Sequence, residues 1–257
     1  MRSTGPKMEL IILGSGTSVP SLKRGSSGYL VRSGATLVLL DSGPGTLQRI
    51  LLAGHQLEEI THIYFSHTHV DHTADLAPLL FTSRNPGSPR RAPLTIGGSR
   101  GFLDFFGRLS ALYGRWIEAA TFPLDLVELT AGPRPAGSLD VSACPVPHIP
   151  SSVAIRLGGA GGRSMVYSGD TGESAALADF SRATDLLLLE CSFPEDLAVE
   201  GHLTPSSAGR IASAAAPGRL VLTHFYPACE GRDLLAELRS TYHGEAVLAE
   251  DGMRIRI

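Results

Sequence analysis

The sequence predicts an α/β (α+β) protein in which two β-sheets pack face to face and helices cover the outside. First, strand-like apolar runs bounded by Gly or Ser follow one another in each half of the chain, with helical patterns between them. Second, the 257 residues are 43% hydrophobic and 18% charged, which suits a large core and excludes a disordered chain. Third, no linker or short-period repeat interrupts the chain, so residues 8–257 are expected to form one domain. Residues 1–7 are expected to be an expression tag or a disordered extension.

Strands are predicted in the first half where aliphatic or β-branched residues run between Gly or Ser turns. These runs are residues 8–13, 28–32, 35–40 and 62–65. Helices are predicted where apolar residues recur at three- and four-residue spacing. These segments are residues 46–53, 74–81 and 99–113. The proline-containing stretch 84–93 predicts a loop.

The second half repeats this pattern. Its predicted strands are residues 126–129, 139–144, 153–157, 164–167, 186–189, 220–222, 246–248 and 253–257. Its predicted helices are residues 204–215 and 231–241. Pro205 stands at the first position of the earlier helix, where a missing backbone N–H costs little.

The charge pattern argues against a dedicated surface for polyanions. The formal net charge is −3, and no basic run stands out, so a role with nucleic acid would have to be local to one site. Basic residues are most frequent at Arg84, Arg90, Arg91 and Arg100. We interpret this stretch as a solvated loop, with a grip on a substrate as the alternative.

Cysteine usage favours a reducing cytoplasm. The three cysteines are Cys144, Cys191 and Cys229. They are far apart, odd in number and form no Cys-x-x-Cys pair, which argues against a disulfide framework. The apolar runs are too short to span a membrane, so no membrane association is expected.

Three histidines and an aspartate follow the predicted strand 62–65 within six residues. The segment reads His67-Thr68-His69-Val70-Asp71-His72. Three imidazoles so close together would repel one another if protonated, whereas a metal ion would use them all. Imidazole and carboxylate donors suit zinc and neighbouring ions. We predict that His67 and His69 share one ion and that Asp71 and His72 face a second.

Further donors stand just past three later strands. They are His148, Asp170 and His224. Loops at strand ends carry functional side chains on a rigid scaffold. Each of the three residues alone could be structural, but in combination with the histidine cluster they predict a metal site with contributions from both halves of the chain.

The segment His-Thr-His-Val-Asp-His, followed in order by a His, an Asp and a His, resembles the metallo-β-lactamase fold family. The resemblance implies an αββα four-layer sandwich with the metal site at one edge. It implies two divalent metal ions, with Zn²⁺ favoured and Mn²⁺ or Fe²⁺ as alternatives. The metal ligands so implied are His67, His69, Asp71, His72, His148, Asp170 and His224.

Five other segments resemble the ribonuclease Z-like members of this family. They are residues 13–20, 40–46, 189–193, 201–204 and 223–225. In that branch, a histidine in a Gly-His-x-Thr segment acts on the scissile phosphate and a glutamate holds it; these positions match His202 and Glu190. With Asp71, these two residues are the predicted catalytic residues. Asp41 is expected either to accept a hydrogen bond from a ligand histidine or to be an ordinary turn residue.

The chain departs from the tRNA-processing enzymes of this branch in two places. Those enzymes carry a long tRNA-gripping arm between the segments that match His148 and Asp170, whereas here the interval is short and reads as two strands joined by glycines. Pro44 stands where the branch usually has Glu. The missing arm favours a small substrate over tRNA.

The resulting prediction is a binuclear metal-dependent hydrolase that cleaves small or cyclic phosphodiesters, nucleotides among them. Two metal ions would activate the attacking hydroxide. One alternative is a ribonuclease Z-type tRNA 3′ endonuclease, which leaves tRNA open as a partner. A further alternative is another hydrolase of the family: a lactonase, thiolesterase or β-lactamase. A homodimer is also left open.

Overall fold

The structure, a computed structural model, describes residues 8–257, and the expectation for residues 1–7 lies outside this range. The strands are β1 (Met8–Gly14), β2 (Gly28–Ser33), β3 (Thr36–Ser42), β4 (His62–Phe65), β5 (Leu94–Gly98), β6 (Leu124–Glu128), β7 (Arg134–Ala136), β8 (Leu139–Pro145), β9 (Val153–Gly158), β10 (Ser164–Tyr167), β11 (Leu186–Glu190), β12 (Arg219–Thr223), β13 (Ala246–Leu248) and β14 (Arg254–Arg256). The α-helices are α1 (Thr46–Leu52), α2 (Val70–Thr73), α3 (Leu76–Thr82), α4 (Phe102–Tyr113), α5 (Ala175–Phe180), α6 (Pro205–Ala215) and α7 (Leu234–Leu238).

The strands form two seven-stranded mixed sheets. Their orders are β14-β1-β2-β3-β4-β5-β6 and β13-β12-β11-β10-β9-β8-β7. Strands β3 to β6 run parallel in the first sheet, as do β10 to β13 in the second. Parallel neighbours need a crossover connection, and each of these connections contains a helix. The carboxyl ends of the parallel strands therefore carry the loops that lead into helices.

The helices lie on the two outer faces. Ile50 of α1, Leu79 of α3 and Phe102 of α4 share a buried apolar cluster with the outward-facing residues of the first sheet. Ile211 of α6 and Leu238 of α7 belong to the larger cluster that also fills the space between the sheets. The predicted αββα four-layer sandwich is confirmed.

Strand β1 shows why the strands read as continuous apolar runs. Leu10 and Ile12 belong to the cluster between the sheets, whereas Ile11 and Leu13 belong to the cluster beneath the first-sheet helices. Successive side chains of a strand point to opposite faces, so a strand between two packed layers is apolar on both.

Four elements were not predicted from the sequence: α2, β5, β7 and α5. Strand β5 contains Gly97 and follows a proline-rich stretch, so it reads as a loop. A Cβ at Gly97 would lie 2.6 Å from a methyl group of Val127 and 3.1 Å from the ring of Tyr64. The strand needs glycine there because its neighbours on both sides leave no room for a side chain.

The interpretation of the arginine-rich stretch as a solvated loop is wrong for Arg90. This side chain is 2% exposed. Its guanidinium donates hydrogen bonds to the backbone carbonyls of Leu57, Ile60, Ala92 and Pro93. Arg90 therefore fastens this loop to the segment that precedes β4. Its N–H donors are occupied by carbonyls of the protein itself.

Candidate metal centre

The predicted donors meet at one edge of the sandwich, beyond the carboxyl ends of the strands. His67, His69, Asp71 and His72 follow β4, while His148, Asp170 and His224 follow β8, β10 and β12. His69 is the residue before α2, and Asp71 and His72 lie within that single helical turn. The turn folds the clustered donors back toward the second sheet, so both sheets contribute to one site.

One set of donors is partly open to solvent; we call His67, His69 and His148 the open group. One ligand atom of each lies within 4.8 Å of the others and of Asp170. Nε2 of His148 is 3.2 Å from Nδ1 of His69. The Oδ2 atom of Asp170 is 3.9 Å from Nε2 of His67 and 3.8 Å from Nε2 of His148.

The second set is buried; we call Asp71, His72 and His224 the buried group. Nε2 of His224 is 3.6 Å from Oδ2 of Asp71. The Oδ1 atom of Asp170 is 3.2 Å from Nε2 of His72 and 3.3 Å from Nε2 of His224. Asp170 thus turns one carboxylate oxygen toward each group.

Four buried donor atoms, three from these groups and one from Asp170, have no hydrogen-bond partner among residues 8–257. They are Nε2 of His67, Nε2 of His72, Nε2 of His224 and Oδ1 of Asp170. Buried polar atoms are nearly always paired, because leaving one unpaired costs free energy. Converging imidazole nitrogens and carboxylate oxygens are the donors of zinc and related ions, so the residues present fit metal ions.

Asp41, at the end of β3, holds the ring of His72. Its carboxylate accepts a hydrogen bond from Nδ1 of His72 at 2.7 Å, and others from Ser66 and from the Tyr167 hydroxyl. With its proton on Nδ1, the ring presents Nε2 to the buried group. The structure thus places Asp41 against a predicted ligand, rather than in a solvent-facing turn.

The open group has weaker supports. The Ser66 hydroxyl lies 3.0 Å from Nδ1 of His67. Nδ1 of His148 donates to the carbonyl of Gly201 at 3.0 Å. His69 is exposed. Each support is a neutral group, in contrast to the carboxylate that holds His72.

Glu190 and His202 form a pair beside the two groups. Oε1 of Glu190 accepts from Nδ1 of His202 at 3.0 Å. Glu190 is fully buried and also accepts from the backbone N–H groups of Thr171 and Leu203. The pair is therefore anchored by backbone from both sides, and a ligand atom of His202 lies within 4.8 Å of donor atoms of Asp170 and His224.

Ser192 is a residue of this site that the sequence reasoning missed. Its hydroxyl donates to Oε2 of Glu190 and lies 3.0 Å from Nδ1 of His224 and 3.2 Å from Nδ1 of His202. Ser192 thus links the Glu190–His202 pair to the buried group. Its only signal in the sequence is its place two residues after Glu190, within a segment already compared with the ribonuclease Z branch.

Burial and neighbouring charges shift the pKa values of three histidines in the site. Burial lowers the pKa of His67, and the nearby His72 lowers it further. Burial also opposes protonation of His72, but the carboxylates of Asp170 and Asp41 raise its pKa well above the ordinary value. Burial disfavours charge on His202 as well, yet the hydrogen bond and charge of Glu190 raise its pKa overall. The carboxylate of Glu190 thus favours the protonated form of His202.

Two side chains of the site sit on left-handed backbone. Asp41 has a φ of 55° and His224 a φ of 62°. Such angles are uncommon for residues other than glycine. Both positions lie at or just after the carboxyl end of a strand, and both side chains contact residues of the site.

A family model described as a beta-lactamase superfamily domain matches residues 36–225. The chain belongs to this beta-lactamase superfamily. The match includes the histidine cluster, Glu190, His202 and His224, and it confirms the family resemblance seen in the sequence.

Two relatives indicate to which branch of the superfamily the chain belongs. The probable metallo-hydrolase YhfI of Bacillus subtilis is 30% identical, with 95% of this chain and 98% of that protein covered. A ribonuclease Z of Bradyrhizobium sp. (strain ORS 278) is 29% identical, with 94% and 97% covered. The beta-lactamase superfamily chain described here is thus a metallo-hydrolase of the branch that contains YhfI and ribonuclease Z.

Solved structures agree with this placement. The crystal structure of YhfI superposes with a TM-score of 0.84 at 28% identity and covers 98% of this chain and 100% of that one. Human short-form tRNase Z superposes with a TM-score of 0.77 at 26% identity, with 96% and 98% covered. The likeness extends over nearly the whole superfamily fold.

Two further observations bear on the substrate and surroundings of this superfamily member. Between His148 and Asp170, the structure contains β9, β10 and the short glycine-rich turn that joins them, and no protruding arm occurs in this described interval. Among residues 8–257, none of the helices has the length and apolar character needed to cross a membrane.

Proposed function

We propose that this metallo-hydrolase is a binuclear phosphodiesterase that acts on small phosphodiesters. The observation that carries the proposal is the Glu190–His202 pair beside two groups of metal-ligating atoms. The departing alkoxide of a phosphodiester needs a proton, and a histidine held by a carboxylate can supply it. In the resemblance described above, such a pair belongs to the phosphodiester-cleaving branch and separates it from lactonases, thiolesterases and β-lactamases.

Each group of donors is proposed to hold one ion, and Asp170 is proposed to contact both. When bound there, two divalent cations, which we propose to be Zn²⁺, would neutralise charge on the phosphoryl group and lower the pKa of a coordinated water. Asp71 completes the buried group, where its carboxylate faces His224 at 3.6 Å. Asp41 keeps the proton of His72 on Nδ1 and so keeps Nε2 free for the ion.

The proton-transfer step is assigned to His202. Glu190 fixes the proton on Nδ1 of this ring, so its other nitrogen is free for substrate. Because the carboxylate raises the pKa of His202, the imidazole can carry a second proton. His202 then donates that proton to the oxygen of the leaving group, while Glu190 stabilises the cation until transfer is complete.

The surface beside His202 favours a small substrate. An open cleft of about 850 Å³ lies there. Its carboxylates are Glu173, Glu195 and Glu200. Its one guanidinium, that of Arg210, is paired with Glu173 at 2.8 Å. A cleft with more negative than positive side chains repels a long polyanion, whereas a single phosphodiester needs only the site itself.

The test is a substrate panel on zinc-loaded protein. The substrates are bis(p-nitrophenyl) phosphate, a cyclic nucleotide, a precursor tRNA and the β-lactam nitrocefin. We expect cleavage of the two small phosphodiesters, and His202→Ala serves as the matched control for background hydrolysis. Hydrolysis of nitrocefin with no hydrolysis of either diester would contradict the proposal.

The second candidate is tRNA 3′ processing, which the ribonuclease Z relatives favour. We expect poor cleavage of precursor tRNA at physiological salt, because neither an arm nor a basic cleft offers contacts to several phosphates. Accurate 3′ cleavage of the precursor, with an efficiency equal to that on the small diesters, would replace the first proposal with this one. The assay is run at several protein concentrations, since a homodimer could supply tRNA contacts from its second copy.

A cytoplasmic location is proposed with this activity. Cys144, Cys191 and Cys229 are all unpaired in the structure. Unpaired thiols persist in a reducing compartment.

A further inference from the structure

Two aromatic rings stand at the rim of the metal centre without an assigned role. Phe193 follows β11 and Tyr226 follows His224 in the chain. Their ring centroids are 4.5 Å apart with 21° between the planes, so the rings are stacked. Both side chains are only partly buried.

The stacked pair adjoins the groups that would act on phosphate. The ring centroid of His202 lies 5.7 Å from that of Phe193 and 6.0 Å from that of Tyr226, and both contacts are edge-on. The Tyr226 ring is also 5.9 Å from the ring of His224. If the two groups and His202 hold the phosphoryl group of a substrate, these rings lie close to one of the substituents on its phosphorus.

The backbone fixes this position. The N–H of Tyr226 donates to the carbonyl of Ser192 at 3.2 Å, and the N–H of Phe193 donates to the carbonyl of Leu203 at 3.3 Å. The rings are thus tied to the same segments that carry the catalytic pair. Rings that are already ordered lose little entropy when a ligand binds.

Core packing does not account for the pair. Neither ring belongs to the two buried apolar clusters of the described residues, although the intervening Phe225 does. Two large aromatic side chains are instead kept at the rim, where they are partly exposed to solvent.

We propose that Phe193 and Tyr226 form a platform for the nucleobase of a nucleoside phosphodiester. This inference rests on the phosphodiesterase function proposed above and names its substrate class. A base stacks on an aromatic ring in the offset manner that aromatic pairs prefer, and the contact accepts any base. The alternative ligand of an aromatic pair is a quaternary ammonium group, which needs ring faces on several sides of it. Here the two rings stack on each other, so only their outer faces remain for a ligand.

The experiment compares two diesters with the same leaving group on zinc-loaded protein: thymidine 5′-(p-nitrophenyl) phosphate and methyl p-nitrophenyl phosphate. We expect the wild-type kcat/KM to favour the nucleoside diester. In Tyr226→Leu, that preference should fall by about 5- to 100-fold, chiefly through KM, which is the range of base–aromatic stacking. Tyr226→Phe keeps the ring and should keep the preference. Phe81→Leu removes an aromatic ring that is exposed elsewhere, on α3, and serves as the matched control.

Binding gives a readout that does not depend on turnover. Calorimetry on the zinc-loaded protein compares AMP with ribose 5-phosphate, which differ by the base. We expect AMP to bind more tightly in the wild type and in Tyr226→Phe, and the two ligands to bind alike in Tyr226→Leu.

Three outcomes overturn the platform: equal kcat/KM for the two diesters in the wild type, an unchanged preference in Tyr226→Leu, or tighter binding of phosphocholine than of AMP. Failure of the underlying function is distinguishable. If neither diester is hydrolysed, the proposed phosphodiesterase activity is wrong, while tighter binding of AMP than of ribose 5-phosphate would still support the platform.

Discussion

The open and buried groups of the metal centre differ in what holds their histidine rings. In the buried group, His72 donates to the carboxylate of Asp41, and His224 contacts Ser192, which is itself bound to Glu190. In the open group, the supports are a backbone carbonyl and the Ser66 hydroxyl, which is itself bound to Asp41. Charge-assisted hydrogen bonds are about twice as strong as neutral ones. Of the two groups, only the buried one has a ring bonded directly to a carboxylate, and only the open one contains an exposed histidine, His69. We therefore expect the buried group to be the more preorganised and the open group to exchange ions and substrate.

The largest effect is expected at the residue that joins the two groups. Asp170→Ala removes both carboxylate oxygens, of which one faces each group. We therefore expect the bound metal to fall to background and hydrolysis to be lost. Elemental analysis of protein purified without chelators measures this. Glu173→Ala, which removes an exposed carboxylate of the adjacent cleft, should keep its metal. An Asp170→Ala protein with two ions per chain would show that the groups do not depend on a shared ligand.

Glu190 and His202, the proposed catalytic pair, belong to neither group, so a substitution there should affect turnover without affecting metal binding. His202→Ala should lower phosphodiester turnover by about 10²–10⁴-fold, the usual contribution of general acid catalysis, with metal content unchanged. Steady-state kinetics and elemental analysis on the same preparation measure both quantities. Loss of an ion, or an unchanged rate, would remove His202 from the role assigned to it.

The charged support of the buried group can be weakened without removing a ligand. Asp41→Asn keeps the shape of the side chain but replaces the carboxylate that holds His72. We expect the affinity of the buried group for its ion to fall about 10–100-fold. Competition with a chromophoric chelator measures the affinity. Tyr167→Phe removes a different hydrogen bond to the same carboxylate and should have a smaller effect.

The smallest effect is expected at the neutral support of the open group. Ser66→Ala removes the hydroxyl near Nδ1 of His67 and the hydrogen bond that it donates to Asp41, while Asp41 keeps its bonds from His72 and Tyr167. A neutral hydrogen bond contributes about 1 kcal/mol, so the affinity of the open group should fall about fivefold. The same chelator titration applies. A loss as large as that in Asp41→Asn would mean that charged and neutral supports do not differ in this site.

The sequence predicted the layer architecture, which is confirmed, and it singled out residues that the structure brings together at one edge of the sandwich. The clustered histidines stand next to each other in the chain, and the distant donors follow apolar strands, so local pattern and chain order carry the information. Leu10 and Ile11 on opposite faces of β1 show the same for the core: a doubly buried strand is apolar throughout.

What the sequence did not predict depends on contacts between distant segments. Gly97 reads as a turn residue until the packing of Tyr64 and Val127 around it is known. Arg90 reads as a solvated cation until the carbonyls that receive its hydrogen bonds are known. Ser192 has no pattern of its own, because its role arises from two histidines that lie 10 and 32 residues further along the chain. Glycine, arginine and serine are common on protein surfaces. At these three positions, contacts with segments distant in the sequence make them buried packing or hydrogen-bonding residues instead.

The left-handed backbone at Asp41 and His224 has a consequence for adaptation and engineering. Glycine adopts such angles freely, whereas other residues there carry a steric cost of order 1 kcal/mol. Glycine at either position would ease the backbone, but it would also remove buried side-chain contacts. At Asp41 it would leave the donors of Ser66, His72 and Tyr167 without their acceptor, and each buried polar group left unpaired costs about 1–3 kcal/mol. Selection for heat resistance alone should therefore keep the carboxylate of Asp41 even in a variant without turnover, so persistence of this residue is not by itself a sign of activity.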